Sequence, residues 1–101
     1  MDYISYEFKN DTLFIKLGER LETTNAEATE NEINEARTQN PAGSVVLDAE
    51  NLKYISSAGL RVLLMAAQAM EDKGEMIVRN VNSDIMDIFE VTGFVDILKI
   101  E

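Results

Sequence analysis

Apolar and polar positions fall into short blocks along the chain, with a period that moves from two to about 3.6 and back. Residues 3–8 alternate loosely, with Tyr3, Ile4, Tyr6 and Phe8 set among Ser5 and Glu7. Residues 12–17, Thr-Leu-Phe-Ile-Lys-Leu, are β-branched and aromatic. Between them Lys9-Asn10-Asp11 is a tight polar turn, so the two runs predict a hairpin and an antiparallel start to the sheet. Gly18 ends the second run. Thr24, followed three residues later by Glu27, has the form of a capping box, with Thr24 as N-cap. Ala26, Thr29, Ile33 and Ala36 then recur at helical spacing. This stripe is small, so the first helix should cover the sheet with little apolar area. Asn40-Pro41-Ala42-Gly43 stops it.

Ser44 to Leu47 is apolar without alternation, which predicts a central parallel strand buried on both faces. Asp48 stands at its carboxyl end. Residues 49–53 form a loop, and Tyr54-Ile55 return to the core. A second helix is predicted from about Ser57 to Lys73. Leu60, Leu63, Leu64, Ala67 and Met70 make one apolar stripe; Val62, Met65, Ala66 and Ala69 make another on roughly the opposite side. Such a helix is either packed under neighbouring elements or shares a face with a partner. Gly74 closes it, and Glu75 to Arg79 is a fourth strand. Asn82 or Ser83 caps a third helix carrying Ile85, Ile88, Phe89 and Val91. Thr92-Gly93 ends that helix, and Val95 to Ile100 is a short last strand. The order β-β-α-β-α-β-α-β predicts one small α/β domain over residues 1–101. Its sheet should be mixed and mostly parallel, with helices mainly on one face.

Composition narrows the chemistry. The 101 residues contain no cysteine, so no disulfide or thiolate metal site is possible. They contain no histidine, which removes the commonest general base and the commonest metal ligand. Nine basic and nineteen acidic side chains give a net charge of −10, which disfavours nucleic acid and anionic membrane surfaces as partners. Residues 1–7 lack a basic region leading into an apolar core, so no signal peptide is expected. No apolar run approaches the roughly 20 residues that span a bilayer.

The stretch from Val45 to Arg61 gathers the candidate residues. Either Ser56 or Ser57 fits an N-cap, whose hydroxyl accepts a backbone N–H and contributes about 1 kcal/mol. The same position has a second use. A helix N-terminus tolerates a phosphate, which brings roughly −1.5 to −2 charges. A partner surface fitted to a neutral serine beside Ala58 and Gly59 would then meet a dianion. Gly59 admits a close backbone, either a partner's or that of a strand packed against the helix. Asp48 lies at the strand edge where α/β proteins place their sites. A phospho-acceptor role needs further acidic residues after the first strand, and a hairpin stands there instead. A carboxylate accepting backbone N–H bonds is the simpler reading. The five glycines are scattered singly, and no acidic cluster has EF-hand spacing. No catalytic residue, cofactor or metal is therefore expected, and the chain does not read as an enzyme.

Taken together, Val-Val-Leu-Asp48, Leu52 and Tyr54-Ile55-Ser56-Ser57-Ala58-Gly59-Leu60 resemble the signature of STAS domains. These are the anti-sigma factor antagonists and the related cytoplasmic domains of sulphate transporters. Leu21-Glu22-Thr23-Thr24-Asn25-Ala26 is similar to the family's approach to its first helix, and Phe89-Glu-Val-Thr-Gly93-Phe94 extends the likeness towards the end. The resemblance implies a cytoplasmic, non-enzymatic switch. The unphosphorylated domain would bind an anti-sigma factor serine kinase, that kinase would phosphorylate Ser57, and a PP2C-type phosphatase would reverse it. By position the resemblance carries partner contacts onto Glu22, Asp48, Ser57, Ala58, Gly59 and Leu60.

The pattern departs from the family in three places. Ser56 stands where an aspartate is common, which leaves a second hydroxyl as acceptor. Ala58 replaces a common Ser or Thr. Little chain remains after the fifth predicted strand, so the family's last helix should be missing or very short, uncovering part of the sheet or of the second helix. Two other readings stand beside the switch. One is a constitutive interaction module in which Ser57 only caps. The other is a small phosphotransfer or hydrolytic domain using Asp48.

Overall fold

The computed structural model describes residues 3–101. Strands β1 (Ile4–Lys9) and β2 (Thr12–Leu17) form the expected hairpin. Asn10 and Asp11 both take positive φ, 53° and 58°, as a two-residue turn between right-twisted strands requires. A two-residue strand, β3 (Arg20–Leu21), precedes helix α1 (Ala26–Gln39). Next come strand β4 (Ser44–Asp48), strand β5 (Tyr54–Ile55) and helix α2 (Ser57–Met70). Strand β6 (Glu75–Arg79), helix α3 (Ser83–Thr92), a 3-10 turn (Phe94–Asp96) and strand β7 (Lys99–Ile100) complete the chain.

The main sheet has the order β1-β2-β4-β6-β7, antiparallel at its first pair and parallel thereafter. β4 therefore lies at the centre, and Val45, Val46 and Leu47 are all buried. Register sorts the strand residues by face. Leu13, Ile15, Val45, Leu47, Met76 and Val78 join one core with Ile33, Ala36, Leu60, Leu63, Met70, Ile85 and Phe89 from the helices. The other face carries the row Ser5, Lys16, Asp48 and Arg79, each opposite the next. A neighbouring row places Phe14 beside Val46 and Ile77, and the Arg79 guanidinium lies 5.3 Å from the Phe14 ring centre.

The helices obey their sequence patterns with instructive exceptions. The buried residues of α1 are Ala26, Thr29, Ile33 and Ala36, the predicted stripe. Its N-cap is Asn25 and not Thr24, and no side chain caps it. The Asn25 carboxamide folds back instead, accepting from Glu22 N–H at 2.9 Å and donating to Arg20 O at 2.8 Å. In α2, both stripes reach the core: Leu60, Leu63 and Met70 from the first, Val62 and Ala66 from the second. Met65 is left exposed. Packing within the domain thus accounts for most of the all-round apolarity.

Asn82 caps α3 by accepting from Ile85 N–H, and its amide also ties Leu52 O to that helix. Val91 is 88% exposed and no part of the α3 stripe, whose buried members are Ile85 and Phe89. Gly93 ends the helix with φ 81°, a conformation that favours glycine. The predicted strand from Val95 to Ile100 is instead the 3-10 turn plus the two residues of β7. Tyr54 does not return to the core either: it is 43% exposed, while Ile55 beside it is buried.

Candidate functional site

Four backbone hydrogen bonds build the surface around α2's first turn. The chain leaves β4 at Asp48 and turns on buried Ala49 and Leu52, linked by Leu52 N–H to Ala49 O. It then runs parallel to β3, with Arg20 opposite Tyr54 and Leu21 opposite Ile55. Lys53 N–H and Tyr54 N–H both donate to Glu19 O, and Ser56 N–H donates to Leu21 O. This small sheet brings the approach to α1 against the head of α2, so Glu22 and the two serines share one surface.

The two serines divide the roles that the sequence left open. Ser56 is the N-cap: its backbone is extended, and its Oγ accepts from Gly59 N–H at 3.3 Å. Ser57 is the first residue of the helix, exposed, and among the described residues its hydroxyl makes no hydrogen bond. The reading of Ser57 as merely a cap therefore fails on geometry, because its neighbour does that work. The first turn of α2 carries no acidic residue, so the partial positive charge of the helix start has no carboxylate beside it.

Gly59 faces inward. A Cβ there would sit 2.4 Å from Leu21 O and 2.8 Å from the Ile55 side chain. The backbone that this glycine admits is that of Leu21. Gly59 and Leu60 are buried and Ala58 is half-buried, so Ser57 is the outward residue of the turn.

Asp48 belongs to a different place. Its Oδ1 accepts from Glu50 N–H at 3.0 Å and from the Asn80 amide at 3.0 Å. Its row in the sheet faces away from the helices, beside Lys16 and Arg79. Burial pushes its carboxyl up, but the hydrogen bonds from Asn80 and Glu50 and the cations Lys16 and Arg79 outweigh this and hold it below the usual range. No hydrogen bond or ion pair connects it to Ser57 among the described residues. Among them, too, no group of three or more His, Cys, Asp or Glu could hold a metal ion.

The surface beside Ser57 contains a cluster that the sequence did not single out. Arg20 Nε donates to Glu22 Oε2 at 2.6 Å and its Nη2 to Glu22 Oε1 at 3.2 Å. The Arg20 guanidinium also stacks 4.5 Å from the centre of the Tyr54 ring. The hydrogen bonds to Glu22 hold Arg20 above its ordinary value, and those from Arg20 hold Glu22 below the usual carboxylate range. A two-residue strand is too short to show a period, so only the polar-apolar-polar run Arg20-Leu21-Glu22 hinted at this arrangement.

A five-stranded mixed sheet with its helices on one face, and a serine-led helix after its central strand, defines a class of small α/β domains. The STAS domain family profile matches residues 3–101, and the chain belongs to that family. Among curated relatives, it is 39% identical over 79 residues to BtrV of Bordetella bronchiseptica, named a candidate anti-sigma factor antagonist; the match spans 77% of this chain and 67% of that protein. It is 26% identical to the anti-sigma F factor antagonist of Paenibacillus polymyxa, over 96% of this chain and 84% of the relative. A Thermotoga maritima structure described as a candidate anti-sigma factor antagonist superposes with a TM-score of 0.87 at 16% identity, covering 96% of this chain and 84% of that one. The phosphorylated form of the Bacillus cell fate determinant SpoIIAA superposes with a TM-score of 0.71 at 20% identity, covering 97% and 90%. Among the described residues no helix is long and apolar enough to cross a membrane.

Proposed function

We propose that residues 1–101 form one STAS domain that acts in the cytoplasm as an anti-sigma factor antagonist, switched by phosphorylation at Ser57. The observation that carries this reading is the division of labour between the serines. Ser56 Oγ is taken by Gly59 N–H, and Ser57 Oγ projects free and exposed from the first residue of α2. A modification at Ser57 leaves the cap, and hence the fold, intact.

In the unmodified state the domain binds an anti-sigma factor serine kinase. Ser57, Ala58 and Glu22 form the contact, and buried Gly59 and Leu60 set the position of that turn. The kinase transfers the γ-phosphoryl of ATP to Ser57 Oγ, with loss of the hydroxyl proton and release of ADP. The new ester carries about −1.5 to −2 charges where a neutral hydroxyl stood, and the contact is lost. A PP2C-type phosphatase hydrolyses the ester to serine and inorganic phosphate. The domain supplies a substrate hydroxyl and no catalytic group. Asp48 supports the loop between β4 and β5 through Glu50 and Asn80 and bears on the partner surface only through that loop.

Mass spectrometry after incubation with the cognate kinase and ATP tests this. One phosphate should appear on Ser57 and none on Ser56. Ser57→Ala should abolish uptake and keep kinase binding, and Ser57→Asp should weaken binding. Retained binding in Ser57→Asp together with no phosphate uptake by the native chain would establish a constitutive interaction module instead.

A further inference from the structure

Glu22 follows directly on the β3–β5 pairing that meets the head of α2, and it is already occupied. Arg20 holds both of its oxygens and sits over the Tyr54 ring. The β3–β5 register ends with Leu21 opposite Ile55, and Ser56 N–H donates to Leu21 O, which keeps Glu22 and Ser56 on adjacent segments. Paired strands lie about 4.8 Å apart and consecutive Cα atoms 3.8 Å, which puts the Glu22 and Ser57 backbones within about 9 Å of each other. That is roughly one Debye length at physiological salt, and the Arg20 guanidinium already lies at the Glu22 carboxylate.

We propose that a phosphate on Ser57 draws Arg20 away from Glu22, so that one modification both adds a dianion and leaves an unpaired carboxylate on the partner surface. This rests on the proposal that Ser57 is the phosphorylated residue. The dianion attracts a guanidinium more strongly than a single carboxylate does, and accepts it in the same bidentate geometry. It also repels Glu22. Tyr54 keeps its place, because its backbone is fixed to Glu19, but loses the cation stacked on it. Other charged groups border the same patch: Glu19 and Lys53 where the small sheet begins, and Arg61 one turn along α2. Arg61 is exposed and without an ion pair among the described residues. It is the competitor that the test must separate, since an anion and a cation four apart on a helix attract one another.

The experiment needs no partner protein and no kinase. The full chain is made with phosphoserine installed at position 57 during translation, alone and with Arg20→Gln or Arg61→Gln. Carboxyl NMR tracks Glu22, and phosphorus NMR tracks the phosphate. Glu22 should titrate below the ordinary range in the unmodified chain and move upward when Ser57 carries phosphate. The phosphate's second ionisation, near pH 6 in general, should shift to higher pH in Arg20→Gln and stay in place in Arg61→Gln. Loss of the Arg20–Glu22 contact in the spectra should accompany both changes. If Glu22 titrates alike with and without the phosphate, or if only Arg61→Gln moves the phosphate, the proposal is overturned. Because the phosphoserine is installed, this result is separate from whether a kinase modifies Ser57.

Discussion

Asp48 and Ser57 stand at the two ends of one loop, and they teach opposite lessons. Both are polar side chains delivered to a rim of the domain, one by the central strand and the other by the helix after it. Asp48 is satisfied by its own chain: Glu50 N–H and the Asn80 amide bind it, and two cations stand near. Among the described residues nothing bonds the Ser57 hydroxyl, because Ser56 has taken the cap. A polar group whose needs are met locally serves the fold, whatever else it touches. One left open on a rigid helix start can be given to another molecule at little structural cost.

Substitutions sharpen that contrast. The largest effect should come from the packing behind the serines. Gly59→Ala forces a methyl against Leu21 O, where the space is 2.4 Å, and should cost about 2–3 kcal/mol in urea unfolding despite alanine's better helix propensity.

Asp48→Ala should cost about 1 kcal/mol at neutral pH, a charge-assisted figure reduced for solvent screening. Its native carboxyl is held low, so the stabilisation is full above the ordinary aspartate range near pH 4. It is lost as the pH falls through the lower native value. The charge-linked part of the gap between wild type and variant should therefore close in acid, and a gap that widens there would contradict the assignment.

Ser56→Ala, which removes the cap, should cost about 1 kcal/mol by thermal or urea unfolding. Ser57→Ala should change stability by less than about 0.5 kcal/mol. Equal losses from the two serine variants would erase the distinction between them.

Most of the fold was legible from pattern. The hairpin declared itself by alternation around Asn10-Asp11, and α1 by four buried residues at helical spacing. The last predicted strand survives only as Lys99–Ile100, because Val95 and Ile97 are apolar yet exposed, so hydrophobicity there does not report burial. Thr24 gave way to Asn25 because the asparagine carboxamide spans Glu22 N–H and Arg20 O, a bond pattern no local motif encodes. At the site, the serines, Gly59 and Glu22 were visible in sequence. What each does depended on β3 and β5, each only two residues long, and on Arg20, whose partner is recognised only once Tyr54 lies beneath it. The opposite orientation of Asp48 comes from strand register, which local sequence does not state.

The β3–β5 pairing joins residues on either side of α1 and β4. Closing so long a loop with two residue pairs gives little return in hydrogen bonds, so this pairing should open locally more readily than the central strands. The amides of Lys53, Tyr54 and Ser56 should then exchange with solvent faster than those of β4. The juxtaposition of Glu22 with the head of α2 depends on that pairing. In the function proposed above, a partner reading this surface would respond only to a domain whose β3 and β5 have paired.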